Sequence, residues 1–185
     1  MGQILSRSGY TCNMLRHVIV ICSNHGELAG EPNGTYMPEL THALAALDQQ
    51  GITYELASPL GGAIPGYGRD ADALTKTMLA DPSFAARLQH TKPLAEVDPE
   101  RYDGVFYPGG HGLLFDLVGN QDSARISAAI YERGGLVLAV CDGPAAPGSI
   151  GQRRQAHHRA KPGLGGRGRT CARQATPRVT ACRAL

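Results

Sequence analysis

The sequence has no Cys-x-x-Cys pair, no apolar run long enough to cross a bilayer, and no acidic residue after Asp142. The five cysteines, Cys12, Cys22, Cys141, Cys171 and Cys182, are odd in number and widely spaced. That spacing argues against a disulfide framework and a zinc knuckle, and it favours a reducing, cytoplasmic setting. The lack of an apolar run excludes a helical membrane span and predicts no membrane partner. The N-terminus also lacks the apolar stretch of a secretory signal. Its M-G-Q-I-L-S start fits the pattern for myristoylation of Gly2, but residues 1–15 are expected to be an extension outside the fold, with Met14 as an alternative initiator.

The third absence divides the chain. All 16 acidic residues lie at or before Asp142, whereas nine of the 18 Lys and Arg follow it, so a net charge of +2 joins an acidic part of about −7 to a basic part of about +9. Beyond Ala146 the only large apolar residues are Ile150, Leu164, Val179 and Leu185, too few for a core strand. Residues 147–185 are therefore expected to be a basic, disordered tail, and the abrupt change in composition reads as a shifted reading frame after Ala146. Without interleaved aromatics the tail does not predict a nucleic-acid partner.

What remains is a chain of 185 residues, 42% hydrophobic and 18% charged, enough for one domain with its own core. His17–Cys22 (HVIVIC) is a β-branched run of the kind found in a strand buried on both faces. Met37–Gln50 carries Leu40, Leu44 and Leu47 at helical spacing, stopped by Gly51, and Ile52–Ala57 reads as the next strand. Ser58–Asp72 is rich in Gly and Pro and is expected to be largely loop, followed by helical segments at Ala73–Leu79 and Pro82–His90. Tyr102–Tyr107 is a third strand. Gln121–Arg133 is an amphipathic helix with Ala124, Ile126, Ala129 and Ile130 inward, and Leu136–Cys141 (LVLAVC) is a fourth strand, buried on both faces. This alternation predicts an α/β domain over residues 16–146, flavodoxin-like and doubly wound with a mostly parallel sheet, truncated after the strand that ends at Cys141.

An apolar strand that runs straight into Cys141-Asp142-Gly143-Pro144 has the form of a nucleophile elbow, a sharp turn that lifts one side chain above the carboxyl end of a sheet. Cys22 also lies at a strand end but has no such turn, and it reads as a core thiol. Glu39 and His42 form an E-x-x-H pair on one helix, but two ligands without partners do not make a metal site.

Four stretches carry a more specific signal: SNHGEL at Ser23–Leu28, GTYMPELTHAL at Gly34–Leu44, ASPLGG at Ala57–Gly62 with YDGVFYPGGHG at Tyr102–Gly112, and AVCDGPAA at Ala139–Ala146. In order and spacing they resemble the ThiJ/PfpI superfamily of the class I glutamine-amidotransferase-like fold, the group that includes glyoxalase III, the parkinsonism-associated deglycase and related stress chaperones. The resemblance implies Cys141 as nucleophile and Glu39 as a protonated partner that bonds to it or shuttles a proton. It also implies that the Gly109 and Gly110 amides contribute to an oxyanion hole, with His111 and Asp142 at the pocket. It further implies a small aldehyde such as methylglyoxal as substrate, no cofactor or metal, and a homodimer as the assembly it suggests.

Two departures from that pattern bear on activity. The elbow usually reads Val-Cys-His-Gly-Pro, and here Asp142 stands where the imidazole would be. An anion beside the sulfur favours the neutral thiol. The acidic partner of that histidine is missing as well, since nothing after Asp142 is acidic. The resemblance thus implies a glutathione-independent glyoxalase or deglycase with impaired activity, or a non-catalytic relative that acts as a stress-related binding protein.

Overall fold

The computed structural model of the chain describes residues 15–147. The expectations for residues 1–14 and 148–185, including the tail and the shifted frame, lie outside the described residues.

The elements follow in the order β1 (His17–Ile21), β2 (Glu27–Leu28), β3 (Glu31–Pro32), β4 (Thr35–Tyr36), α1 (Met37–Gln49), β5 (Thr53–Ser58), β6 (Gly66–Tyr67), α2 (Ala73–Ala80), α3 (Pro82–Gln89), β7 (Lys92–Pro93), β8 (Gly104–Tyr107), α4 (Leu113–Asp116), α5 (Gln121–Glu132) and β9 (Leu136–Ala139). Five strands form one parallel sheet in the order β7–β5–β1–β8–β9. Apart from the short edge strand β7, this is the flavodoxin-like order, with β1 inside and the chain winding first to one side and then to the other.

The period of two along each strand sorts the core into two layers. Val18, Val20, Leu56 and Phe106 pack under Met37, Leu40 and Leu44 of α1 and Phe84 and Leu88 of α3. Ile19, Ile21, Val105 and Tyr107 point the other way, against Leu113, Leu117, Ile126 and Ile130. Strand β1 is fully buried between the layers, as its unbroken β-branched run predicts. Leu15, expected to lie in the extension, packs against the α1 side.

Helices α2, α3 and α5 begin where a side chain accepts from their free N–H groups. The Asp81 carboxylate accepts from the Ser83 and Phe84 amides at 2.7 and 3.0 Å, and the Asn120 side chain accepts from Ser123 at 3.0 Å.

Two expectations need correction, and one gains a detail. The Ser58–Asp72 stretch is largely loop, as expected, and includes a two-residue strand, β6, which pairs in parallel with β4 through Thr35↔Gly66 and Tyr36↔Tyr67. The inward face of α5 is Ser123, Ile126, Ser127 and Ile130, whereas Ala124 and Ala129 are half-buried. The serines face inward because the Tyr107 hydroxyl, itself fully buried, bonds to Ser123 Oγ at 2.8 Å and Ser127 Oγ at 2.6 Å. Finally, β9 is shorter than Leu136–Cys141 and is covered on one side only. Val137 and Ala139 pack on the α5 layer, while Leu136, Leu138 and Val140 are 46%, 38% and 39% exposed on the α1 side. Helix α1 crosses above β1 and β5 rather than β9, so an apolar run alone misread an edge strand as an interior one.

Tyr107→Phe would leave two buried serine hydroxyls without their shared partner. It is expected to destabilise the domain by about 1–3 kcal/mol. A urea unfolding midpoint that does not fall would show that the serines find other partners.

Candidate active site

The carboxyl ends of β1, β8 and β9 lie side by side, next to the place where the winding changes direction, which is where open α/β sheets hold their ligands. After β9, Val140 donates its N–H to the Tyr107 carbonyl at 3.2 Å, and the chain then reverses through Cys141 and Asp142. Gly143 closes the turn by donating to the Val140 carbonyl at 2.7 Å. Cys141 sits at the apex with φ of 51°, a left-handed conformation that a side chain with a Cβ adopts only under constraint. Such strain costs on the order of 1–3 kcal/mol and concentrates at functional sites. The thiol is exposed, in contrast to Cys22, which is 1% exposed and whose thiol is pushed up to about 12 by burial.

Glu39, in the first turn of α1, is half-buried and reaches toward the elbow. Its Oε2 accepts the Gly109 N–H at 2.8 Å, and the same carboxyl group lies close enough to the Cys141 thiol to push it up. Gly109 stands between them. A Cβ there would lie 2.3 Å from Glu39 Oε2 and 2.5 Å from Cys141 Cβ, so only a glycine lets the two side chains meet. Gly110, at φ of 117°, packs against the β4 backbone, where a Cβ would lie 2.3 Å from the Gly34 carbonyl oxygen. The two glycines expected to act as a pair therefore differ: the Gly109 N–H is already engaged by Glu39, while no acceptor among the described residues takes the Gly110 N–H.

Asp142 places its carboxylate Oδ2 3.8 Å from Cys141 Sγ and 3.8 Å from His111 Nε2. The Cys141 thiol is pushed up from its ordinary value, first by partial withdrawal of the sulfur from water and next by the Glu39 carboxylate. Asp142 acts in both directions: its backbone N–H stabilises the thiolate, while its carboxylate opposes it. The anion beside the sulfur thus has the direction expected from the sequence, but burial and Glu39 outweigh it.

Two further residues at this site carried no motif. Tyr67 on β6 stacks on the His111 ring, with centroids 6.1 Å apart and planes 8° from parallel, and packs against Tyr36 at 5.2 Å. Its phenol is pushed up by burial and by the negative charge of Cys141, Asp142 and Glu39, against the opposing effect of the nearby His111 backbone N–H. Asp116 on α4 ties down the Ser23–His25 loop, accepting from the Asn24 N–H at 2.7 Å and from Ser23 Oγ at 3.0 Å. The E-x-x-H pair does not converge on a metal. Glu39 turns to Gly109, and His42 Nε2 lies 3.2 Å from Asp72 Oδ1.

Replacing Glu39 by Gln keeps an oxygen for the Gly109 N–H but removes the charge that holds the proton on the sulfur. The Cys141 thiol value should therefore fall, and alkylation by iodoacetamide near pH 7 should rise by roughly threefold or more. The check is the pH profile of alkylation, read on the Cys141 peptide by mass spectrometry. A profile that stays in place would mean that the carboxylate does not act on the sulfur.

Compared with known proteins, residues 32–160 match the DJ-1/PfpI family. The chain is 30% identical over 125 residues to Glyoxalase 3 of Candida albicans, covering 63% of this chain and 52% of that protein. It is 31% identical over 126 residues to Glutathione-independent glyoxalase HSP31 of Saccharomyces cerevisiae, with the same coverage of 63% and 52%. It therefore spans about half the length of these curated relatives. Among solved structures, Rapid Encystment Protein 24 KDa of Francisella tularensis superposes with a TM-score of 0.68 at 26% identity, over 74% of this chain and 63% of that one. Glyoxalase III from Candida albicans superposes with a TM-score of 0.60 at 26% identity, over 71% and 59%. The family match runs through α1, the glycine pair and the elbow, and the solved structures repeat the sheet beneath them: this chain belongs to the DJ-1/PfpI family.

Proposed function

We propose that the Cys141 centre acts on small reactive aldehydes in the manner of a glutathione-independent glyoxalase, with methylglyoxal as substrate. One observation carries the reading: a strained, exposed thiol and a helix-borne carboxyl group face each other across a glycine that leaves room for both. The relatives named for glyoxalase activity support it.

The Cys141 sulfur adds to the aldehyde carbon, the C=O bond becomes C–O, and the thiol proton ends on that oxygen. The Gly110 N–H, free of other acceptors, and the Asp142 N–H stabilise the oxygen as it gains charge. Glu39 removes the proton from the attacked carbon and returns it to the neighbouring ketone carbon, while the adduct hydroxyl proton passes to the ketone oxygen, which leaves a thioester of lactate on Cys141. Water hydrolyses the thioester, releasing lactate and the thiol. Methylglyoxal and water have become lactate with no net oxidation, so the sequence of steps needs no nicotinamide or flavin. The upward shift of the thiol is the weak point: each tenfold loss of thiolate at neutral pH corresponds to about 1.4 kcal/mol against the first step.

A second reading, a binding protein of the stress-chaperone type without turnover, is favoured by the exposed apolar stripe of Leu136, Leu138 and Val140 beside the elbow. Lactate formation from methylglyoxal separates the two. The unsubstituted chain should form lactate above background and Cys141→Ala should not, whereas equal background rates would leave the binding reading. Asp142→His, which exchanges the opposing carboxylate for an imidazole, is expected to raise Cys141 alkylation at neutral pH, and a slower rate would show that Asp142 helps the thiolate more than it hinders it.

A further inference from the structure

Tyr67 belongs to no motif, yet a strand ladder and two ring contacts fix it at the elbow. The β4–β6 ladder sets Tyr67 opposite Tyr36, and the Tyr36 N–H donates to the Gly109 carbonyl at 3.0 Å, so the ladder is tied to the loop between Glu39 and Cys141. Its ring is held between Tyr36 and His111. The His111 imidazole is in turn 3.8 Å from the Asp142 carboxylate, which is 3.8 Å from the sulfur. Burial, together with the negative charges of Cys141, Asp142 and Glu39, favours the protonated phenol. No acceptor among the described residues takes that proton.

The donors around the sulfur divide into used and free. The Gly109 N–H serves Glu39, and the Asp142 N–H faces the sulfur. Among the described residues no acceptor takes the Gly110 N–H or the Tyr67 O–H. Two free donors suit a ligand with two oxygens on adjacent carbons, where one oxygen becomes the hydroxyl of the thiol adduct and the other stays a carbonyl.

We propose that Tyr67 selects 2-oxoaldehydes over simple aldehydes at Cys141, its hydroxyl donating to the carbonyl oxygen on the carbon next to the one the sulfur attacks. This rests on the aldehyde reading of the site and adds the residue that sets its substrate class. The step is reversible addition only: the S–C bond forms, the aldehyde C=O bond opens, and the thiol proton moves to the aldehyde oxygen.

The test measures adduct formation rather than turnover, so it does not depend on the later steps. Methylglyoxal and propanal are each titrated against the intact chain and against Tyr67→Phe, and occupancy is read as protection of Cys141 from iodoacetamide by mass spectrometry of its peptide. Comparing the ratio of the two half-protecting concentrations between the variants cancels the intrinsic reactivity of each aldehyde. Loss of one hydrogen bond should reduce the preference for methylglyoxal on the order of tenfold in Tyr67→Phe, with alkylation in the absence of aldehyde changed by less than about twofold. An unchanged ratio, or an equal loss of protection by both aldehydes, would overturn the assignment. Protection by neither aldehyde in the unsubstituted chain would instead defeat the aldehyde reading itself, and this inference with it.

Discussion

Glu39 and Cys141 come from elements far apart in sequence, and they meet because Gly109 has no side chain. The Gly109 N–H fixes one carboxylate oxygen at 2.8 Å, and the space above its Cα is filled by that oxygen and by the cysteine Cβ. One peptide group therefore sets both the direction of the carboxyl group and the depth of the sulfur. The Tyr36 N–H bonds to the carbonyl of the same residue, which adds the start of α1 to the arrangement. The rest of the fold supports this contact: β8 delivers Gly109, β9 delivers Cys141, and the short β4 strand leads into the helix that carries Glu39.

The arrangement makes the thiol responsive rather than strongly reactive. Two carboxyl groups approach a sulfur that is partly withdrawn from water, and only one backbone N–H acts in favour of the thiolate. At separations near 4 Å, unit charges interact by about 1 kcal/mol in water and about 4 kcal/mol at the effective dielectric of a protein surface. The exposed elbow lies between those limits, so the position of the Glu39 carboxylate bears directly on the sulfur. Cys22 shows the other extreme, a fully buried thiol that burial pushes up to about 12.

The parts of this arrangement legible in the sequence are those that follow from local chemistry. The β-branched run at His17–Ile21, the leucines of α1 and the strand-to-Gly-Pro turn at Cys141 each determine their own structure, and the family pattern supplied Glu39, Gly109 and Gly110. Periodicity could not reveal which strand lies at the edge, because Leu136–Val140 has the same composition as an interior strand and differs only in what covers it. Nor could it reveal the inward serines of α5, whose placement depends on a hydroxyl brought over by β8. Tyr67 was hidden for a similar reason. It sits in a stretch dominated by Gly and Pro, and its place at the site depends on a two-residue ladder with β4 that spans 31 positions of sequence.

Tyr107 connects these levels. Its hydroxyl is buried in a three-way contact with Ser123 and Ser127, which fixes α5 against the sheet, and its carbonyl accepts the Val140 N–H immediately before the elbow. The turn after Cys141 packs back on the same layer, where Ala146 is 3% exposed among the residues around Tyr107. The strained backbone of Cys141 is thus held from one side, by β8 and the α5 layer, while the other side of β9 presents Leu136, Leu138 and Val140 to solvent. Strain of a few kcal/mol persists only where the surroundings over-determine it. Here the constraint passes through a single tyrosine, so core packing and the position of the sulfur are coupled.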